Sequence, residues 1–207
     1  AILRFVEEKK LTLDDTLGKL VPEFPTPGHV VTLHQLLSHT SGIPSYTDIG
    51  EEWHVKWPLE LADAELLALV KDKPFDFEPG QDWHYNNTGY YLLGMIVAKT
   101  SGETYARHLA RTLFEPLGLT RTRYDSNNEL IKNRAQGYTL KEGKLVNDDY
   151  LGMSQPGGAG GLVSTGGDLV RWQMALTSGR VVKPDSFALM TTPTVLPGGK
   201  DTHYGFG

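Results

Sequence analysis

Two side chains able to do chemistry stand one residue apart in the stretch Trp83-His84-Tyr85-Asn86-Asn87-Thr88-Gly89: the phenol of Tyr85 and the carboxamide of Asn87. A phenol can give or take a proton, and an amide can hold a cation or another amide by hydrogen bonds. Either role needs a fixed position, and the following residues promise one. Tyr90-Tyr91-Leu92-Leu93-Gly94-Met95-Ile96-Val97-Ala98 is an unbroken apolar run containing Leu, Met and Ala, which predicts a buried helix reaching Lys99. Pro79-Gly80 marks a turn ahead of it, and Asn87 or Thr88 is expected to cap the helix. Taken alone, the stretch reads first as an N-cap beside an interface tyrosine.

The elements that must hold this pair belong to an ordinary globular composition. The 207 residues are 39% hydrophobic and 22% charged, enough for a real core. A net charge of −5 without any Lys/Arg cluster argues against nucleic acid as a partner. With no cysteine there is no disulfide, thiolate metal site or cysteine nucleophile. No apolar run reaches the length of a membrane span. Asn86-Asn87-Thr88 matches an N-glycosylation acceptor, an improbable one at the mouth of a buried helix.

Other motifs fail on inspection. There is no G-x-S-x-G elbow and no H-E-x-x-H. Thr32 to Gly42 is predicted as a helix capped by Thr32 and stopped by Gly42, with Leu33, Leu36 and Leu37 inward. His34 and His39 would point about 140° apart on it, so they cannot share a metal, and a hydrogen-bonded structural role suits His39 better. The glycine-rich Pro156–Thr165 is not a phosphate loop, because Gly167-Asp168 follows Gly161 to Gly166 where Lys-Ser/Thr is needed. It is not a dinucleotide fingerprint either, since Val163 takes the place of the third glycine. Thr165 and Asp168 instead have capping-box spacing ahead of a helix from Leu169, which accounts for Ser164 as part of a helix entry. Helices are also expected around Leu61–Val70 and Tyr105–Arg111, and a hairpin with Gly143 in its turn around Gly137–Val146.

Five phrases, in order along nearly the whole chain, resemble the penicillin-recognising serine hydrolases: class C β-lactamases, D-alanyl-D-alanine carboxypeptidases and related esterases. They are Leu11-Thr12-Leu13-Asp14-Asp15, Leu36-Leu37-Ser38-His39-Thr40-Ser41-Gly42-Ile43-Pro44, Tyr85-Asn86-Asn87, Pro116-Leu117-Gly118-Leu119-Thr120, and Gly160-Gly161-Leu162 through Asp168-Leu169-Val170-Arg171-Trp172. The resemblance implies an α+β, β-lactamase/transpeptidase-like fold, a mostly helical subdomain plus part of an α/β sandwich with antiparallel sheet. Residues 1–207 would be the central part of one such domain, cut at both ends. The family's Ser-x-x-Lys would precede Ala1 and its His/Lys-x-Gly would follow Gly207, so the chain by itself is expected to be inert.

By the same resemblance, Tyr85 assists proton transfer to and from the serine, while Asn87 holds the lysine or the substrate amide. Tyr46 would border the cleft. Gly160 lies in the loop where class C β-lactamases tend to carry an aromatic side chain; glycines there imply a more open site and favour a small ester, amide or D-amino-acid peptide over a β-lactam. No cofactor or metal is implied, a periplasmic or secreted location is, and the oligomeric state is left open. A phenol titrates near 10, so phenolate character at neutral pH needs a shift of about 3 units, roughly 4 kcal/mol. The family's lysine would supply part of that. A non-catalytic relative that kept the fold, or a helical interaction domain with Tyr85 only packing, are the competing readings.

Overall fold

A computed structural model describes residues 1–207. In chain order the helices are α1 (Ile2–Glu7), α2 (Leu17–Leu20), α3 (Leu33–Leu37), α4 (Glu51–His54), α5 (Asp63–Leu67), α6 (Asn87–Ser101), α7 (Tyr105–Leu109), α8 (Gly166–Thr177) and α9 (Pro184–Thr191). The strands are β1 (Arg123–Tyr124), β2 (Tyr138–Lys141), β3 (Lys144–Asn147) and β4 (Leu162–Val163). They form two small antiparallel pairs, β1 with β4 and β2 with β3. The result is α+β, and helix dominates.

Helix α6 is the axis, as its apolar run predicts. Thr88, Gly89, Tyr91, Leu92, Leu93, Gly94, Ile96 and Val97 are all buried, so the helix is covered on most of its circumference rather than along one stripe. Its cap is one residue earlier than expected. Asn86, not Asn87 or Thr88, has extended backbone, and its Oδ1 accepts the Gly89 N–H at 2.7 Å. At the other end Gly102 takes the left-handed conformation (φ 71°) that closes a helix without a Cβ penalty.

Helix α3 packs against α6 and is shorter than its sequence pattern suggests. Thr32 caps it in a full capping box with Gln35. It stops at Leu37, because the Ser38 hydroxyl turns back to the His34 carbonyl at 2.8 Å and His39 adopts φ 58°. Gly42 is therefore not a helix stop but a close approach: with φ 71°, a Cβ there would collide with the Phe77 backbone.

The glycine-rich segment forms a 3₁₀ turn, Gly157–Ala159, pressed onto α6. A Cβ on Gly158 would lie 2.8 Å from the Gly94 amide nitrogen and closer still to the Tyr90 carbonyl, so the backbones meet directly. Gly160 has no such constraint, its nearest neighbour being Pro156 Cβ at 3.5 Å. Thr165 caps α8 through the Asp168 N–H, as its spacing predicts. The buried Asp168 carboxylate does not complete the box; it accepts from the Arg121 N–H at 2.8 Å and Thr122 Oγ1 at 3.0 Å, tying α8 to the chain after α7. Helix α7 runs on as a π-helical turn, Ala110–Phe114, and the hairpin turns through Glu142 and Gly143, both at positive φ. No helix is long and apolar enough to cross a membrane.

Two expectations follow for urea unfolding of the full-length protein. Asn86→Ala removes the cap and strands the Ile43 carbonyl in the core, and is expected to cost about 2–3 kcal/mol; a loss under about 0.5 kcal/mol would show that the cap is dispensable. Gly158→Ala should destabilise by more than about 2 kcal/mol while Gly160→Ala stays within about 1 kcal/mol. Equal effects at the two glycines would contradict the direct backbone contact.

Candidate active site

The site is built on the residues that turn the chain into α6. Asn86 is 3% exposed and has its main polar groups engaged: the N–H donates to His39 Nδ1 at 2.9 Å, Nδ2 donates to the Ile43 carbonyl, and Oδ1 takes the helix cap. A buried amide so engaged cannot drift, and it cannot be glycosylated in the folded chain. The residues on either side, Tyr85 and Asn87, inherit that fixed backbone.

Tyr85 is 47% exposed, in contrast to Asn86 beside it. Its ring rests on the His39 imidazole at 4.5 Å between centroids. His39 also touches Tyr90 (4.8 Å, near parallel), Tyr204 (5.4 Å) and Trp83 (6.4 Å), so one histidine gathers four aromatic rings. Burial pushes the His39 imidazole down to about 4. It is therefore neutral near pH 7, and Nδ1 can act as the acceptor that Asn86 requires.

Asn87 is half-buried. Its Nδ2 donates to Thr47 Oγ1 at 3.1 Å and its backbone N–H to Ser45 Oγ at 3.3 Å. That leaves Oδ1 and one amide hydrogen without a protein partner. His84, on the outer side, stands 3.6 Å from both Asp48 and Asp76. Lys200 pairs with Asp82 at 2.9 Å.

Tyr46 is placed differently from the cleft border expected of it. It is 3% exposed, its hydroxyl donates to the Gln155 carbonyl at 3.0 Å, and its backbone N–H donates to the buried Thr88 Oγ1 at 2.9 Å. Burial drives its phenol well above the usual tyrosine range. Tyr46 thus braces α6 against the glycine-rich segment from within. The reason lies in Gln155, a residue that belongs to no recognisable motif. Buried to 1%, Gln155 accepts from Trp53 Nε1 at 2.9 Å and donates to the Lys56 and Leu59 carbonyls at 2.8 and 2.7 Å. It clamps residues 46–59 to the turn that carries Gly160.

Tyr85, Asn87 and Tyr46 are therefore joined through the first turn of α6, whereas Gly160 is linked to them through the backbone of the 157–159 turn. Gly160 itself is exposed and extended. No three His, Cys, Asp or Glu side chains converge in a way that could hold a metal ion. What the arrangement offers is an accessible phenol, an amide with free valences beside it, and an aromatic wall of Trp83 and Tyr204.

Comparison with known proteins gives the family. The chain is 30% identical over 225 aligned residues to penicillin-binding protein 4* of Bacillus subtilis, covering all of this chain and 48% of that protein. Among solved structures, a D-stereospecific amidohydrolase from Streptomyces superposes with a TM-score of 0.84 at 26% identity, over 99% of this chain and 65% of that one. A D-amino acid amidase from Ochrobactrum anthropi complexed with L-phenylalanine amide gives 0.80 at 26% identity, over 100% and 61%. The chain spans about half the length of the curated relatives it matches. The family model described as beta-lactamase matches residues 1–207 from end to end, and the chain belongs to that family.

Proposed function

We propose that the full-length protein is a serine hydrolase that cleaves a small ester, amide or D-amino-acid peptide through an acyl-enzyme, with Tyr85 carrying the proton. The observation that carries this reading is a contrast in exposure. Tyr85 is 47% exposed while the residues that fix it, His39, Asn86 and Thr88, are 2%, 3% and 0% exposed. A tyrosine kept only for packing would be covered, and one kept only for solubility would not sit on so constrained a backbone.

The reading requires a Ser-x-x-Lys segment outside residues 1–207, supplied by the rest of the protein. In its phenolate form, beside the lysine ammonium of that segment, the Tyr85 oxygen takes the proton of the serine Oγ as Oγ bonds to the substrate carbonyl carbon. It returns that proton to the leaving nitrogen or oxygen as the scissile bond breaks. Water then attacks the acyl-serine by the same route in reverse. Asn87 offers its free Oδ1 to the lysine ammonium and its remaining amide hydrogen to a substrate carbonyl.

Two observations favour an amide or ester of a D-amino acid over a β-lactam. Relatives of the same fold are named as a D-stereospecific amidohydrolase and a D-amino acid amidase. The loop around Gly160 carries no aromatic side chain that would narrow the cleft. Secretion or export to the periplasm belongs to the same proposal.

The test is kinetic. The full-length protein should turn over D-phenylalanine p-nitroanilide or p-nitrophenyl butyrate faster than nitrocefin, and residues 1–207 alone should turn over none of them. Tyr85→Phe is expected to lower kcat by about 10²–10⁴-fold with an unchanged Tm. Asn87→Ala should lower kcat/KM by at least about 10-fold, the equivalent of one lost hydrogen bond to a charged group. A Tyr85→Phe protein within about twofold of wild type would leave Tyr85 no part in catalysis.

A further inference from the structure

Residues 84, 85 and 86 each touch a different part of one residue 45 or more positions upstream. The His39 carbonyl accepts the His84 N–H at 3.1 Å, the His39 ring carries the Tyr85 ring at 4.5 Å, and His39 Nδ1 accepts the Asn86 N–H at 2.9 Å. Three consecutive residues are thereby registered on a single histidine. We infer that His39 is the positioning residue for Tyr85: it sets where the phenol oxygen stands, and does so by holding the backbone on both sides of Tyr85 and supporting the ring between them. This rests on the catalytic role proposed for Tyr85 and adds to it the device that makes that role possible.

Three features argue that this is more than core packing. His39 has φ 58° as the left-handed residue that closes α3, its N–H donating to the Leu36 carbonyl at 3.5 Å and the Thr40 N–H to the Gln35 carbonyl at 2.9 Å. The same helix ending aims the His39 carbonyl and Nδ1 at His84 and Asn86 together. The hydrogen bond also dictates chemistry. Nδ1 must be unprotonated to accept, so the proton sits on Nε2, and only the neutral tautomer of that form holds the motif. Finally, Tyr90, which lies against the same ring at 4.8 Å, donates its hydroxyl to the Leu37 carbonyl at 2.9 Å. The support beneath Tyr85 is thus itself pinned to the end of α3.

An alternative purely structural histidine would lower stability and activity together, whatever stands at position 85. The experiment that separates the two is a double-mutant cycle in the full-length protein, with p-nitrophenyl butyrate as substrate and kcat and KM measured separately. His39→Phe keeps an aromatic ring under Tyr85 and removes the acceptor. It is expected to lower kcat by about 10–100-fold, the scale of a displacement near 1 Å, with KM within about threefold. In a Tyr85→Phe background the same change should lower kcat by less than about twofold. His39→Asn, whose Oδ1 takes the place of Nδ1 and which tolerates positive φ, should recover at least about 10-fold of the loss. It also serves as the informative variant should His39→Phe fail to fold.

Equal losses from His39→Phe with tyrosine and with phenylalanine at position 85 would overturn the positioning role and leave the proposed function standing. No loss from His39→Phe in the wild-type background would do the same. If Tyr85→Phe alone leaves kcat untouched, the function reading fails first, and the positioning role falls with it.

Discussion

Every polar group of Asn86 is buried, and the structure depends on how each is satisfied. An amide taken out of water costs free energy unless it finds partners, and Asn86 finds them on three separate segments: His39 after α3, Ile43 in the loop beyond, and Gly89 in the first turn of α6. That single residue therefore joins helix start, loop and histidine into one rigid unit. Tyr85 and Asn87 flank it and have no freedom of their own to find another backbone position. The chemistry proposed for them is a consequence of where Asn86 must sit.

A second constraint acts about two turns further along α6. Gly94 and Gly158 allow backbone to lie against backbone, which brings the glycine-rich turn close to the central helix. Gln155 and Tyr46 then lock that turn to the segment running from residue 46 to 59. The Tyr85-Asn86-Asn87 turn and the glycine-rich turn are thus both referred to α6, one through Asn86 and one through Gly158. Neither depends on an ion pair exposed to solvent, the kind of contact that contributes least.

Much of this was legible in the sequence because it is local. The apolar run of α6, the capping box at Thr32, the cap at Thr165, and the glycine turn of the hairpin each follow from neighbours within four residues. A hydrogen-bonded His39 was legible as well. What could not be read is what distant segments decide. Asn86, Asn87 and Thr88 are all competent caps, and only Ile43 and His39 select the first. Ser38 bending back to His34 and the left-handed His39 shorten α3 in a way that Leu33, Leu36 and Leu37 do not announce. Tyr46 looks like a cleft residue until Gln155, 109 positions away, draws its hydroxyl inward. Gln155 carries no motif, and its importance is a matter of burial alone.

Tyr85 is proposed to activate a serine supplied by the rest of the protein. The most direct measurement of this is the rate at which a fluorophosphonate probe modifies the full-length protein, followed by intact mass and by peptide mapping. The account predicts one adduct, on a serine followed three residues later by lysine, formed much more slowly once Tyr85 is replaced by phenylalanine. No adduct, or an adduct formed equally fast in both proteins, would contradict it.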